Sequence, residues 1–352
     1  MKEKIIKILV VICYLGFFQA IEVKAQIQTD TLMLKAEELA RQIFYRSHDS
    51  VYIRSYADEL AVRVTALNKS NFFRVIDGNE NSSLRYRPDR RISLGFGASY
   101  KWFSLGVSFN VGFLEKEQFD NSKFFDFSGT VFSIKHFVGV SYQYYLGYKL
   151  TGGLINDTEI PESSKFREDI RTIHFGLNYL YAFNHGKFSL KAPFALNQIQ
   201  RKNAGSVVAG ASFTINVLDG DSTLIPQEFY NDFDERLLFK DLNVTTLGVN
   251  VGYLYSFVWK EQLFLTLGLI PGLNFVSGDY QTDYRNTIPL HLYPKFQILS
   301  SLGLNKRRYF IAIQFQSSSE YIRIDKKLRI ELGRGKVTFL VGYRFGNKKG
   351  KK

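Results

Sequence analysis

Apolar and small polar residues alternate at every second position in several stretches of this chain. In residues 104–114 the odd positions, Leu105 to Phe113, are all apolar, and serine, glycine or asparagine occupies most of the even ones. Because successive side chains of a strand point to opposite faces, this pattern predicts a strand with one apolar face. The same pattern occurs in residues 91–102, 206–217 and 245–257.

Period two alone does not distinguish a soluble β-sandwich or propeller from a membrane barrel. The predicted strands are about 10 residues long, which is what a tilted strand needs to cross a bilayer. Their polar face carries Gly, Ser, Thr and Asn rather than many charges, as a crowded barrel lumen does. Aromatic side chains collect near strand ends, as in the girdles of outer-membrane barrels. The pattern therefore predicts an all-β fold, a closed antiparallel transmembrane β-barrel over residues 51–345.

Predicted short turns and long polar loops alternate along the chain, which is typical of outer-membrane barrels with short periplasmic turns. The long loops are predicted at 77–90, 115–123, 151–168 and 277–287. The alternation fails between Gln200 and Leu242. A return strand is needed there, at 223–230 or 235–241, for a count of fourteen strands, and without it the count is twelve.

The amino terminus has the layout of a cleavable secretory signal peptide. Lys2, Lys4 and Lys7 precede an apolar run from Ile8 to Phe18, and small residues then suit cleavage after Ala25. The run is shorter than the roughly 20 residues of a spanning helix. Residues 1–25 are therefore predicted to be a signal peptide that directs the chain to the cell outer membrane.

Three further features complete the predicted organisation. Residues 26–50 form a periplasmic segment with a helix at about 31–45, and 346–352 form a basic tail. The single cysteine, Cys13, lies in the signal peptide, so the mature chain lacks disulfides and thiolate chemistry. The last strand ends Gly-Tyr-Arg-Phe, and its aromatic residues Tyr343 and Phe345 resemble the signal read by the outer-membrane insertion machinery.

The formal net charge is +13, which suits a nucleic acid, an acidic surface or an anionic solute. For an exported barrel we expect no nucleic acid, and lipopolysaccharide and outer-membrane lipid as partners. Basic residues on the predicted lumen face would favour anions. Alternatively they pair with carboxylates such as Asp126 and only fill the barrel. The candidate lumen-lining residues are Arg63, Arg91, Lys101, Lys149, Lys191, Lys295 and Arg344.

No motif predicts a catalytic, cofactor or metal site. Gly95 and Gly97 lie on an alternating strand with no helix after them, unlike a dinucleotide motif. No two histidines have metal-ligand spacing. His48 and Ser50 are placed like the base and nucleophile of outer-membrane phospholipases, but they lie in a linker where a turn is expected. His174 points to the lumen and is interpreted as a satisfied interior histidine.

Several segments resemble a family of uncharacterised outer-membrane proteins from Bacteroidota, catalogued as a domain of unknown function. They are 84–89, 94–102, 202–206, 221–226 and 341–345. The resemblance implies an outer-membrane location and supplies no activity. We expect a non-enzymatic barrel without a cofactor, acting as a passive channel or a small-solute binding barrel. The alternatives are an interaction barrel whose loops bind a partner or glycan, and a membrane-embedded hydrolase.

Overall fold

The computed structural model describes residues 48–346, except 57, 89–91, 101–102, 111–122, 133–134 and 156–164. The predicted signal peptide, the helix at 31–45 and the basic tail after Gly346 lie outside the described residues. The described strands are β1 (Ile53–Ser55), β2 (Leu60–Asp77), β3 (Ser82–Pro88), β4 (Ile92–Tyr100), β5 (Phe103–Asn110), β6 (Lys123–Phe132), β7 (His136–Leu154), β8 (Phe166–Ala182), β9 (Gln198–Gln200), β10 (Ala204–Asp219), β11 (Asp241–Trp259), β12 (Leu263–Gln281), β13 (Arg285–Asn305), β14 (Tyr309–Arg323) and β15 (Leu328–Phe345).

The described helices are short. One is an α-helix, α1 (Lys191–Phe194), and two are 3-10 helices at Gln227–Asp232 and Glu235–Leu237. Within the described ranges, no helix has the length and apolar character needed to cross a membrane.

Strands β2 and β15 pair in antiparallel register over their whole length, from Leu60 opposite Phe345 to Asp77 opposite Leu328. This pairing closes the sheet, which confirms the predicted all-β closed antiparallel barrel. The closed ring runs β2-β3-β7-β8-β10-β11-β12-β13-β14-β15, which is ten strands among the described residues. The predicted count of twelve to fourteen is therefore too high for this ring.

Strands β4, β5 and β6 also lie between β2 and β7 in the sheet, because β4 pairs with β2 and β6 pairs with β7. They lie at the end of the barrel where β2 begins and β15 ends. We call this end the terminal end and the opposite one the far end. Strand β3 pairs directly with β7 only toward the far end. At the terminal end, where β4, β5 and β6 lie between β2 and β7, the wall has twelve strands. Toward the far end, where β3 alone lies between them, it has ten.

Among the described residues, the wall contains a weakly paired seam between β5 and β6. Strand β5 pairs with β4 along its whole length, but with β6 over only three positions, Phe103 to Leu105 opposite Gly129 to Val131. Within the described residues the ladder stops beyond Leu105. Since backbone pairing is what seals a barrel wall, the β5–β6 seam is its least sealed part.

Alternation gives the barrel an apolar exterior and a polar interior, as the period-two pattern predicts. On β11, Val249 and Val251 point outward and are about half exposed, whereas Thr246 and Asn250 are buried on the inside. The apolar exterior continues around the wall. It includes Val62, Val64, Phe96, Leu177, Val207, Leu247, Leu267, Leu269, Leu273, Phe296, Ile298, Leu302, Ile313, Val337, Phe339 and Val341.

Several strands are longer, and two of the predicted loops shorter, than the sequence pattern predicts. Strands β11, β12 and β13 have 19, 19 and 21 residues, about twice the crossing length of a tilted strand. The predicted loop at 277–287 is instead the end of β12, a three-residue turn and the start of β13. The predicted loop at 77–90 contains strand β3.

The connection between β8 and β10, residues 183–203, folds into the terminal end of the barrel, and we call it the terminal plug. It contains α1 and strand β9, which pairs with β1. Phe188, Leu190 and Leu196 are buried against inward-facing wall residues. This part of the chain does not cross the wall, because its backbone groups are bonded from inside: Ser301 Oγ donates to the Pro193 carbonyl at 2.8 Å.

The connection between β10 and β11, residues 220–240, closes the far end and is called the far plug. Neither of its two candidate return strands exists, since the segment forms the two 3-10 helices inside the lumen. Its apolar side chains pack against the inner wall in one cluster. They are Leu224, Ile225, Phe229, Phe233, Leu237 and Phe239, all 5% exposed or less.

Candidate functional site: a cation-rich cavity between two plugs

A cavity of about 310 Å³ lies inside the barrel, many times the roughly 10–15 Å³ that a single water requires. Leu190 and Phe194 of the terminal plug line one side of it. Toward the far end, the inward residues of β2 pass from Lys69 and Asn71, which line the cavity, to Phe73, which belongs to the far cluster. The cavity therefore occupies the middle of the lumen, between the two plugs.

Charged side chains from five strands face this cavity, and cations outnumber carboxylates by five to two among the lining residues. A lumen with a surplus of fixed positive charge attracts anions. The cations are Arg63, Lys69, Lys295, Arg334 and Lys336, and the carboxylates are Asp126 and Glu320.

Lys69 on β2 and Lys336 on β15 are direct cross-strand partners. Like charges placed directly opposite one another destabilise a sheet unless something neutralises them. Asp126 lies 2.5 Å from the Lys69 ammonium, and its carboxylate also accepts hydrogen bonds from Gln143 at 3.0 Å and Tyr145 at 2.9 Å. Among the described residues, Lys336 has no carboxylate within ion-pair distance, so one ammonium of the pair lacks a matched anion.

Two further cations are held by hydroxyl groups rather than by carboxylates. Arg63 donates to Ser99 at 2.9 Å and to Ser104 at 3.1 Å, and the Lys295 ammonium donates to Ser212 at 2.8 Å. A hydroxyl oxygen satisfies a donor without cancelling its charge. The hydrogen bonds therefore fix the positions of both cations and leave their charge available to a solute.

Glu320 on β14 is the second carboxylate of the cavity. One of its oxygens lies 3.4 Å from the Arg334 guanidinium, and the other accepts from the Asn216 amide at 3.4 Å. Glu320 is 4% exposed. A buried carboxylate is costly unless it is paired, which explains why Arg334 lies next to it and why this pair adds no net charge.

Only some of the seven basic residues predicted to line the lumen lie at the cavity. Arg63 and Lys295 line the cavity. Arg344 faces inward but lies below the cavity, fully buried, where it donates to the carbonyl oxygens of Leu196, Lys306 and Arg307 and so ties the terminal plug to the wall. Arg91 and Lys101 lie outside the described residues.

Two of the seven are placed differently from the prediction. Lys191 lies on α1 of the terminal plug, not on a strand, and burial lowers its pKa to about 8. Lys149 is exposed and does not face the lumen. A register shift between Leu146 and Tyr148, at a glycine with φ of 92°, exchanges the two faces of β7.

Sequence reasoning missed Lys69, Arg334 and Lys336 as cavity residues. All three are in phase with residues that the alternation placed inside: Lys69 with Arg63 on β2, and the other two with Arg344 on β15. Extending the period-two pattern a few residues further along each strand would have found them.

The remaining candidates from the sequence are two histidines, one serine and the two aromatic residues at the end of β15. His48 and Ser50 lie in a turn at the terminal end, where Ser50 is exposed. His174 faces the lumen and makes hydrogen-bonding contacts with Ser141 and Asn216. Tyr343 and Phe345 point outward at the end of β15 with their rings 5.0 Å apart, and their role in assembly stays a prediction.

These features define a closed β-barrel with an apolar exterior, two internal plugs and a cation-rich cavity. Residues 47–345 match the family model described as "Domain of unknown function (DUF4421)". The chain belongs to this family. No curated protein sequence matches it significantly.

Among solved structures, the chain is similar to the outer membrane protease OmpT from Escherichia coli, with 9% identity and a TM-score of 0.34 over 83% of this chain and 98% of that one. It is similar to the P. putida toluene transporter TodX, with 7% identity and a TM-score of 0.28 over 88% and 98%. It is also similar to the translocator domain of the autotransporter NalP from Neisseria meningitidis, with 8% identity and a TM-score of 0.29 over 92% of this chain and 100% of that one. These similarities are too distant to assign a function.

Proposed function

We propose that this chain is an outer-membrane barrel that binds a small anionic solute in its central cavity. Its exterior supports the location, because a closed ring of strands with outward apolar side chains suits a hydrocarbon environment. We also propose, from the sequence, that the predicted signal peptide exports the chain and that the protein comes from Bacteroidota.

The observation that carries the proposal is the pairing of Lys69 with Lys336. Two ammonium groups face each other across neighbouring strands with a single carboxylate, Asp126, beside Lys69. In the low dielectric of a protein interior, like charges repel more strongly than in water. A multivalent anion between the two groups would relieve the repulsion and form charge-assisted hydrogen bonds with both.

A binding barrel agrees with the structure better than a passive channel does. The terminal plug and the far plug bury apolar side chains at the two ends of the lumen, and a continuous aqueous path would require both of them to move. We therefore expect the protein to show no steady conductance in planar lipid bilayers. Step-like single-channel currents at modest voltage would support the channel instead.

The β5–β6 seam is the access route that we propose for the solute. Gly106 and Ser108 of β5 and Ser128 of β6 line the cavity at this position. Small side chains leave room there, and the strands carry no ladder hydrogen bonds to break beyond Leu105 in the described part of the seam. A route through the wall needs neither plug to move.

Isothermal titration calorimetry of the refolded protein in detergent micelles tests the anion site, with inorganic phosphate and citrate as probes. We expect binding that weakens as salt is raised and at least about tenfold weaker binding by Lys336→Met, equivalent to roughly 1.4 kcal/mol. Lys326→Met is the matched control, because Lys326 is exposed in the turn before β15. Equal affinities in wild type and Lys336→Met, or no binding of either probe, would refute the site and favour the interaction barrel.

Partners in the membrane remain part of the proposal. We propose that lipopolysaccharide and outer-membrane lipid surround the apolar exterior, and that the insertion machinery recognises the last strand through Tyr343 and Phe345. Both side chains lie on the outer face at the end of β15, 39% and 58% exposed, where a receptor could reach them before the barrel closes.

A further inference from the structure

Three polar side chains on neighbouring strands form a hydrogen-bonded chain beside the cavity. The Ser141 hydroxyl oxygen on β7 lies 3.4 Å from His174 Nε2 on β8. His174 Nδ1 lies 2.8 Å from the Asn216 amide oxygen on β10. A hydroxyl, an imidazole and a group that orients the imidazole are the parts of an activated serine nucleophile, and such contacts are often long before substrate binds.

We propose that Ser141 is a nucleophile, that His174 is its general base, and that Asn216 is a positioning residue. The reaction is hydrolysis of a carboxylic ester that also carries an anionic group. The choice of substrate rests on the proposed anion site, whereas the identity of the nucleophile does not. The inference departs from the sequence expectation of a non-enzymatic barrel.

The neighbours of Asn216 determine the protonation pattern of His174. Asn216 contacts the Arg334 guanidinium through its amide oxygen and the Glu320 carboxylate through its amide nitrogen. A guanidinium can only donate and a carboxylate can only accept, so the amide has one orientation. Its oxygen therefore faces His174 Nδ1, which must carry the proton. His174 Nε2 is then the unprotonated nitrogen, and it faces the Ser141 hydroxyl as a base must.

A glycine keeps open the space where the nucleophile meets its base. Gly176 on β8 is the cross-strand partner of Ser141. A Cβ atom at this position would lie 2.7 Å from the Ser141 hydroxyl oxygen and 2.8 Å from His174 Nε2. Ser141, His174 and Gly176 all line the 310 Å³ cavity. The glycine therefore leaves the reacting atoms facing a space that can hold a substrate.

A cation near the reacting atoms suits the oxyanion that develops during acyl transfer, whereas it opposes the positive charge that His174 gains as a base. Lys295 and Arg334 are both close enough to His174 to interact with it electrostatically, and the Lys295 ammonium is fixed by its hydrogen bond to Ser212. Positioned donors that face a developing oxyanion are a large source of catalysis in a water-poor site. We assign this role to Lys295, since Arg334 is already paired with Glu320.

The reaction balances with water as the only co-reactant. The Ser141 oxygen bonds to the ester carbonyl carbon while its proton moves to His174 Nε2. The bond between that carbon and the alcohol oxygen then breaks, and the imidazolium gives its proton to the leaving alcohol. Water then attacks the carbonyl carbon of the acyl-serine while His174 Nε2 takes a proton from the water. The bond between that carbon and the Ser141 oxygen breaks, and the imidazolium gives its proton to the Ser141 oxygen. The products are the alcohol and the carboxylic acid.

Labelling with diisopropyl fluorophosphate tests the nucleophile. The Ser141 oxygen would bond to phosphorus, fluoride would leave, and peptide mass spectrometry would locate the adduct. We expect selective modification of Ser141 and a fall of about 10²- to 10⁴-fold in His174→Gln, the usual contribution of a general base. Ser50→Ala is the control, because Ser50 is an exposed serine outside the cavity, and its labelling should match wild type.

Two further variants separate a reactive site from a structural contact. Gly176→Ala keeps all three side chains but fills the space between them, and should abolish labelling. In Asn216→Ala, the 15N chemical shifts of His174 should move away from the pattern of a proton on Nδ1. Substrate breadth is measured with p-nitrophenyl acetate and with anionic phospholipid vesicles, which distinguish a soluble ester from a lipid ester.

Failure of this inference is distinguishable from failure of the anion site. If phosphate binds normally but Ser141 is not labelled, or is labelled equally in His174→Gln, the nucleophile is refuted and the anion site stands. If Ser141 is labelled but neither phosphate nor citrate binds, the anion site is refuted and the nucleophile stands. Normal phosphate binding by each variant shows that the barrel is folded, so a loss of labelling then reports on the chemistry.

Discussion

Phe229 is the side chain with which we test whether the far plug is a stable part of the lumen. It lies in the first 3-10 helix of the plug, is fully buried, and packs in the cluster that the plug forms with the inner wall. Replacing a buried phenylalanine by alanine costs about 3–5 kcal/mol, since it removes apolar contact and leaves a cavity. Phe229→Ala should weaken the closed state of the plug by about that amount.

Polar contacts limit how far the plug can relax around the cavity left by the mutation. The Tyr86 hydroxyl donates to the Leu224 carbonyl at 2.6 Å, and the Asp77 carboxylate accepts from the Asp234 backbone at 2.8 Å. These bonds keep the plug in register with the wall. We therefore expect most of the loss to appear as easier opening of the whole plug rather than as repacking within it.

Hydrogen exchange of peptides from residues 224–239, measured in nanodiscs, reports this opening directly. At about 1.36 kcal/mol for each factor of ten, exchange should become about two to four orders of magnitude faster in Phe229→Ala. Exchange of β11 should change far less. Tyr284→Ala is the control, because Tyr284 is 81% exposed in the turn between β12 and β13. Unchanged exchange of the plug peptides in Phe229→Ala would show that they are not packed as described.

Three further predictions follow from other parts of the molecule. Burial lowers the pKa of Lys191 to about 8 from an ordinary value of 10.5. The unfolded chain then binds more protons between these values, so stability in urea should rise with pH across that window, and should rise less steeply in Lys191→Met. Phe345→Ala should reduce insertion of the newly exported barrel in cells, whereas Phe339→Ala, an outward phenylalanine of the same strand, should not; equal effects would count against a terminal signal. A bismaleimide cross-link between Gly106→Cys and Ser128→Cys should slow phosphate uptake without changing its equilibrium affinity, and unchanged uptake kinetics would mean that solute enters elsewhere.

The sequence allowed the barrel and its two faces to be predicted because a strand repeats every two residues. Arg63 and Lys295 could be placed on the lumen face by counting alone. The same counting failed for Lys149, because one extra residue at the Gly147 bulge exchanges inside and outside without changing composition. A local irregularity of this kind has no period and leaves no pattern in the sequence.

The plugs could not be predicted for a different reason. Residues 183–203 and 220–240 are apolar in part but follow no strand or helix period, so the alternation gave no account of the region from Gln200 to Leu242 beyond two candidate return strands. Their burial depends on the volume left inside the ring, which is a property of the closed barrel. The contact between Ser141, His174 and Asn216 depends in turn on the register of three strands, and sequence distance gives no indication of it.

The central claim is that an anion binds between Lys69 and Lys336, and a crystal structure of the protein soaked in selenate tests it most directly. We expect an anomalous selenium peak within hydrogen-bond distance of both ammonium groups, and its loss in Lys336→Met with the barrel unchanged. Ordered density for the cavity side chains with no selenium peak between the two lysines, or peaks on the outer surface alone, would contradict it.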